Sequence, residues 1–215
     1  MFWAALDKAG LTPPIVAALR TILLLGQRPN EVAGMARDEL VDFDVADAAL
    51  WVLPASRMKG RRPHCVPLPR LARSIIQGEL VRQREAADEP EFVFASRFAD
   101  RERLARHSLS QAMRRVIEGL VADDANRDAV ARLKADPPTP HDLRRSAATG
   151  LSRLGISRDD RLAVLAHSYG DAHEVYDQYD RLSQKRSALE SWERHLLAVI
   201  ADRPSKGGKV LRLRR

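Results

Sequence analysis

Apolar positions fall at helical spacing along most of this chain. The stretch 13–25 reads as a first helix, with Thr12 as its N-cap and Pro13-Pro14 in its first turn. A second, short helix is predicted from Pro29 through Glu31-Val32-Ala33. The pattern then changes. Ala49-Leu50-Trp51-Val52-Leu53-Pro54 and His64-Cys65-Val66-Pro67-Leu68 are strand-like, and the short basic loop between them makes a β-hairpin the economical reading, with its register left open. Helical spacing returns at about 70–84 and 109–120, at 141–154 with Gly155 as its stop, and at 159–166. A last long helix is predicted over 184–200, where Leu189, Trp192, Leu196, Leu197 and Ile200 form one stripe. A charged, Ala-rich insert at 121–136 runs into Pro137-Pro138-Thr139-Pro140, which reads as a loop within one domain. No internal repeat is visible. The expected fold is mainly α with a small antiparallel β-sheet, an α+β class.

Composition narrows the class. With 215 residues, 45% apolar and 30% charged, the chain can build a globular core and is not a disordered, collagen-like or rod-like sequence. No apolar run approaches the ~18–20 residues of a membrane span. Thr21-Ile22-Leu23-Leu24-Leu25 stops at Gly26, and the start lacks the basic flank and long apolar segment of a signal peptide. The single cysteine, Cys65, excludes an internal disulfide framework and a multi-cysteine zinc site, and it is expected to pack in the core. A cytoplasmic setting follows as the expectation.

The net charge of +7 and pI near 10 suggest an anionic partner. Arg203, Lys206, Lys209, Arg212, Arg214 and Arg215 account for all but one of those charges, with no acid between them. The body, 1–202, is therefore near neutral, and 203–215 is expected to be a basic, disordered tail, either merely solvated or bound to phosphate.

Four places carry polar residues that helix building does not require. Arg28 follows an apolar helix and precedes a proline, with Glu31 three residues on and able to orient it. Lys59 sits beside Gly60 on the predicted turn, where it can reach away from the sheet. His141 and Arg144 are i and i+3 on one helical face, and His141 falls at a helix N-terminus, where the dipole favours an anion. His167 is followed nine residues later by Tyr176. His167, Asp171 and His173 do not have the spacing of a strong metal motif, and the surrounding arginines oppose a cation, so neither metal nor other cofactor is expected.

In this order, Arg, Lys, His-x-x-Arg, His and Tyr resemble the tyrosine recombinase (phage integrase) family, in particular prophage and genomic-island integrases. The resemblance covers about 6–200. Its boxes are Gly26-Gln27-Arg28-Pro29-Asn30-Glu31-Val32-Ala33-Gly34-Met35, Ser56-Arg57-Met58-Lys59-Gly60-Arg61-Arg62-Pro63-His64-Cys65-Val66-Pro67-Leu68, Thr139-Pro140-His141-Asp142-Leu143-Arg144-Arg145-Ser146-Ala147-Ala148-Thr149, and Leu165-Ala166-His167-Ser168 with the tyrosine beyond it. Lys185-Arg186-Ser187-Ala188-Leu189-Glu190-Ser191-Trp192 resembles that subgroup's closing helix.

The resemblance implies a site-specific DNA recombinase that integrates or excises a mobile element through a 3′-phosphotyrosine bond, without metal or ATP. It implies Tyr176 as nucleophile by the family's spacing, with Tyr179 as the rival and Tyr169 structural. Arg28 and Arg144 would clamp phosphate oxygens, and His141 would add a hydrogen bond or accept a proton. Lys59 would act as general acid, and His167 would bond a phosphate oxygen. Duplex attachment-site DNA, a homotetramer on that DNA, accessory DNA-bending or directionality proteins and a place at the nucleoid are implied with it, and no membrane.

Larger members of the family carry an N-terminal DNA-binding region before this catalytic pattern. The chain is thus expected to be a piece of a longer integrase, the other reading being a catalytic domain encoded alone. A DNA-binding relic, an isolated fragment with little activity, a topoisomerase or telomere-resolving relative, and a simple metal nuclease (which EDTA would inhibit) are the remaining alternatives.

Overall fold

The computed structural model describes residues 1–87, 89–96, 103–167 and 181–201. Tyr169, Tyr176, Tyr179 and the tail 203–215 lie outside the described residues.

The fold is built around α2 (Pro13–Leu25), following a short α1 (Phe2–Lys8). Ala18, Leu19, Ile22, Leu24 and Leu25 of α2 are fully buried, because α7 (Pro140–Arg153), α4 (Arg70–Glu85), α5 (Arg106–Glu118) and α9 (Leu182–Ile200) pack around it. Arg20 is the charged exception. Its guanidinium lies over the Trp3 ring at 4.7 Å and pairs with Asp7 at 2.6 Å, which docks α1. Gly26 ends α2 in the left-handed conformation (φ 64°). A Cβ there would press on Ala147 and Leu165 at 3.3 Å each, so glycine serves both the turn and the close approach.

After α3 (Pro29–Ala33), a three-stranded antiparallel sheet runs in the order β1 (Leu40–Val41), β2 (Leu50–Leu53), β3 (His64–Pro67). Its register pairs Leu50 with Pro67 and Leu53 with His64. The predicted hairpin is therefore present, with β1 added at its edge. Alternation along β3 buries His64 and Val66 and leaves Cys65 half-buried, so the expectation of a core cysteine is corrected. The insert at 121–136 contains α6 (Arg127–Ala135), whose Val130 joins Ile117 and Leu120 in a small second apolar cluster. The helix α8 (Arg158–Val164) packs on α9. No helix among the described residues is long and apolar enough to cross a membrane.

The closing helix is pinned by Trp192. Its Nε1 donates to the Leu23 carbonyl at 2.8 Å, and its ring covers Gly150 of α7 so closely that a Cβ there would lie 2.1 Å from a ring carbon. Gly150→Ala is accordingly expected to destabilise the protein by about 3 kcal/mol or more, since a flat ring locked by its own hydrogen bond cannot retreat. Urea unfolding of the two proteins checks this, and a loss below about 1 kcal/mol would contradict the packing described.

Candidate active site

The α2–α3 junction presents Arg28. Pro29 opens α3, and Glu31 at its third position turns its carboxylate back on the junction. One oxygen accepts the Arg28 backbone N–H at 3.0 Å, and the other accepts Arg28 Nη1 at 2.7 Å. Glu31 is buried while the Arg28 side chain stays 30% exposed, so the guanidinium is held from behind and open in front. This is the orienting role expected of Glu31.

Arg144 lies one layer deeper, only 4% exposed. Its Nη1 donates to the Gly26 carbonyl at 3.0 Å, and Nη2 donates to the Leu165 carbonyl at 2.8 Å. Nη2 also lies 2.8 Å from His167 Nε2. Since arginine can only donate, Nε2 is the acceptor and His167 is the neutral tautomer with its proton on Nδ1. Burial first, and then the neighbouring Arg28, push the Arg144 pKa down to about 10, so the group remains a cation at neutral pH.

His167 is placed by the end of α8. Its N–H donates to the Leu162 carbonyl at 3.0 Å, and Ala166 before it takes the left-handed conformation (φ 48°), which closes the helix as a Schellman turn. Burial, followed by Arg144, Arg28 and His141, holds the His167 pKa below its ordinary value. His141, in the first turn of α7, is lowered by burial and by Arg144, Arg145 and Arg28, with Asp142 opposing.

Lys59 is exposed on the turn of the hairpin and lines an open cleft of about 620 Å³ with Arg28, His64 and His167. His141 lines an adjoining cleft of about 280 Å³ with Arg28, Asn30, Ser110 and Thr139. Arg28 forms a wall of both. The fold thus brings Arg28, Lys59 and His167 to one cleft, sets Arg144 behind His167, and places His141 next door. Tyr176 lies outside the described residues. Among the described residues no cluster of three His, Cys, Asp or Glu side chains is placed to hold a metal ion.

The profile of the Phage integrase family matches residues 5–184. The chain belongs to that family. It is 29% identical over 201 residues to Prophage integrase IntZ of Escherichia coli (strain K12), covering 93% of this chain and 44% of the relative. Prophage integrase IntA of the same strain is 29% identical over 171 residues, covering 79% of this chain and 36% of the relative. The chain thus spans less than half the length of either relative. Its fold is similar to that of XerH site-specific recombinase bound to difH substrate in a pre-cleavage complex, with a TM-score of 0.60, 18% identity, and 86% of this chain and 49% of that chain covered. A XerH post-cleavage complex with palindromic difH also matches at 0.60 and 16% identity, covering 94% and 50%.

Two supports of this candidate site lie within the family boxes without a chemical role assigned to them there. Gln27 Nε2 donates to the carbonyls of Leu25 at 2.9 Å and Val164 at 2.8 Å, and His64 Nε2 lies 3.2 Å from the same Val164 carbonyl. The visible signal for Gln27 is a polar residue directly after an apolar helix, and for His64 a histidine at an inward position of a strand.

Two outcomes follow from the electrostatics and the turn. A histidine whose folded pKa lies below its unfolded value contributes fully above about pH 6.5, and that contribution is lost as pH falls below 6.5 toward the lowered value. In NMR titrations, His167 and His141 should therefore titrate below 6.5 in the free protein, and saturating inorganic phosphate should move both upward; unmoved values would contradict an anion-accepting cleft. Separately, Ala166→Gly relieves the left-handed strain and should stabilise the protein by about 0.5–1 kcal/mol in urea unfolding.

Proposed function

We propose that this chain is the catalytic part of a site-specific DNA recombinase that integrates or excises a mobile element. The observation that carries this reading is the convergence, from four separated sequence boxes, of Arg28, His167 and Lys59 on one cleft with Arg144 directly behind His167. Three cations around two histidines of lowered pKa form a place where a phosphodiester relieves repulsion instead of creating it.

In the proposed reaction the Tyr176 phenolate attacks phosphorus. The Tyr176 O–P bond forms as the P–O5′ bond breaks, and Lys59 gives its proton to the departing 5′-oxygen. Arg28 and Arg144 stabilise the charge that grows on the non-bridging oxygens, with His167 and His141 as further hydrogen-bond partners. Three of the five Arg144 N–H groups already serve Gly26, Leu165 and His167. A phosphate therefore meets the remaining two or displaces His167. Attack of a 5′-hydroxyl on the phosphotyrosine reverses the step and rejoins the strand.

Duplex attachment-site DNA is the proposed substrate, with a homotetramer assembled on it, accessory DNA-bending or directionality proteins beside it, and a place at the nucleoid. Residues 1–202 form the proposed catalytic domain, and 203–215 the basic tail. The test is a labelled duplex from the element's ends, nicked next to the cut site so that the leaving strand diffuses away. An SDS-resistant adduct is expected, lost with Tyr176→Phe, kept with Tyr179→Phe, and formed about 100-fold more slowly with Lys59→Met. An adduct only from a version extended at the N-terminus would mark this chain as a catalytic domain lacking its DNA clamp, and no adduct from either version would overturn the reading in favour of one that binds DNA without cutting it.

A further inference from the structure

Glu39 and Arg57 belong to none of the proposed catalytic roles, yet they connect two of the residues that do. Glu39 ends a 3-10 turn (Arg37–Glu39) ahead of β1, and Arg57 ends another (Ala55–Arg57) after β2, two residues before Lys59. The Glu39 carboxylate is buried. One oxygen accepts the Ala36 N–H at 3.1 Å and Trp51 Nε1 at 2.9 Å, and Arg57 Nη1 donates to both oxygens. Arg57 Nη2 then reaches past this pair to the backbone carbonyl of Glu31 at 2.7 Å. Glu31 is the residue whose carboxylate orients Arg28. A single guanidinium thus ties the turn that bears Lys59 to the helix that presents Arg28.

An independent feature makes room for that tie. A Cβ on Gly34, at the end of α3, would stand 2.9 Å from Arg57 Nη2 and 3.3 Å from Arg103 Cδ. The Gly34 backbone (φ −106°) is one that any residue adopts. Space for the arginine, and not backbone freedom, is therefore what the glycine supplies.

We infer that Arg57, braced by Glu39, is a positioning residue that sets the Lys59 turn in register with Arg28. An ion pair serving only the sheet would be complete with Glu39, Ala36 and Trp51. The additional bond to the Glu31 carbonyl serves the site. Met58 between the two is buried, so the backbone leading to Lys59 is fixed while the lysine itself projects into the cleft. The inference rests on the reading of Lys59 as general acid, and its test separates the two.

Arg57→Met alone would strand a buried carboxylate, so Arg57→Met with Glu39→Gln is the informative variant, with Gly34→Ala as a second route that displaces the guanidinium sterically. Lys59→Met is the control. Each protein receives two nicked duplexes, one with the ordinary 5′-oxygen at the cleavage position and one with sulfur in its place. A thiolate leaves without a proton donor, whereas an alkoxide does not. The double variant is expected to unfold cooperatively, to lose about 10–100-fold in adduct formation with oxygen, and to stay within about 3-fold of wild type with sulfur, as Lys59→Met does. Gly34→Ala should show the same pattern in weaker form. Equal losses on both substrates, or no loss on either, would overturn the inference.

Amide exchange across residues 55–62 gives a readout free of DNA. It should quicken about tenfold or more in the double variant while α2 and α9 stay protected. Unchanged exchange would overturn the tie whether or not the protein cleaves DNA. Wild-type protein that forms no adduct with either duplex, in this length or extended at the N-terminus, would sink the recombinase reading, and exchange alone would then decide the tie.

Discussion

A single buried cation closes two helices at once. Gly26 and Leu165 are the C-cap residues of α2 and α8, and both of their carbonyls accept from Arg144. Helix C-termini leave carbonyls without partners and carry the negative end of the dipole, so two such ends converging on one guanidinium satisfy each other's needs. The neighbouring carbonyl of Val164 is taken by Gln27, with His64 beside it. The junction that presents Arg28 and the turn that presents His167 are therefore fixed by helix capping. The precision of the site is inherited from the way the core ends its helices.

The charge balance around that cation sets the protonation of its neighbours. Burial and Arg28 work against the Arg144 charge, and Glu31 is the acid that offsets them. The histidines respond by staying neutral, and His167 becomes an acceptor for the guanidinium. Among the described residues, the positive charge there is held close by covalent and hydrogen-bonded structure, with Glu31 as the carboxylate paired against Arg28. Such preorganisation favours an anion whose charge increases along a reaction, because the donors need not reorient as it grows.

Much of the fold was legible in the sequence because the relevant signals are local. The helices around 13–25, 70–84 and 184–200 follow from periodicity, and the hairpin from two short apolar runs flanking a basic turn. The helix α1 was missed because its docking depends on Arg20 reaching Trp3 and Asp7 from a different helix. The two-residue strand β1 has no pattern long enough to read, and α6 lies in an insert whose charge masks a single buried valine. Of the candidate site, Arg28, Lys59, His141, Arg144 and His167 were readable as polar residues that helix building does not require, and Tyr176 lies outside the described residues. The pairing of Arg57 with Glu39, eighteen positions apart across a loop, and the sharing of Val164 by Gln27 and His64 were not readable, since neither follows a repeat of the backbone.

The order tied, buried, exposed along Arg57, Met58 and Lys59 has a consequence for entropy and time. Placing an ammonium against a phosphate oxygen requires both backbone and side chain to be ordered, and these losses occur at different moments here. The backbone loses its freedom when the protein folds, about 1–2 kcal/mol per residue. Only the four-carbon stem of Lys59 remains to be ordered when a ligand arrives, a cost of up to about 2 kcal/mol. Exposed side chains change rotamer in picoseconds to nanoseconds, far faster than loops close. The Lys59 ammonium can thus be delivered to a ligand by the motion of one side chain, with the hairpin staying in place.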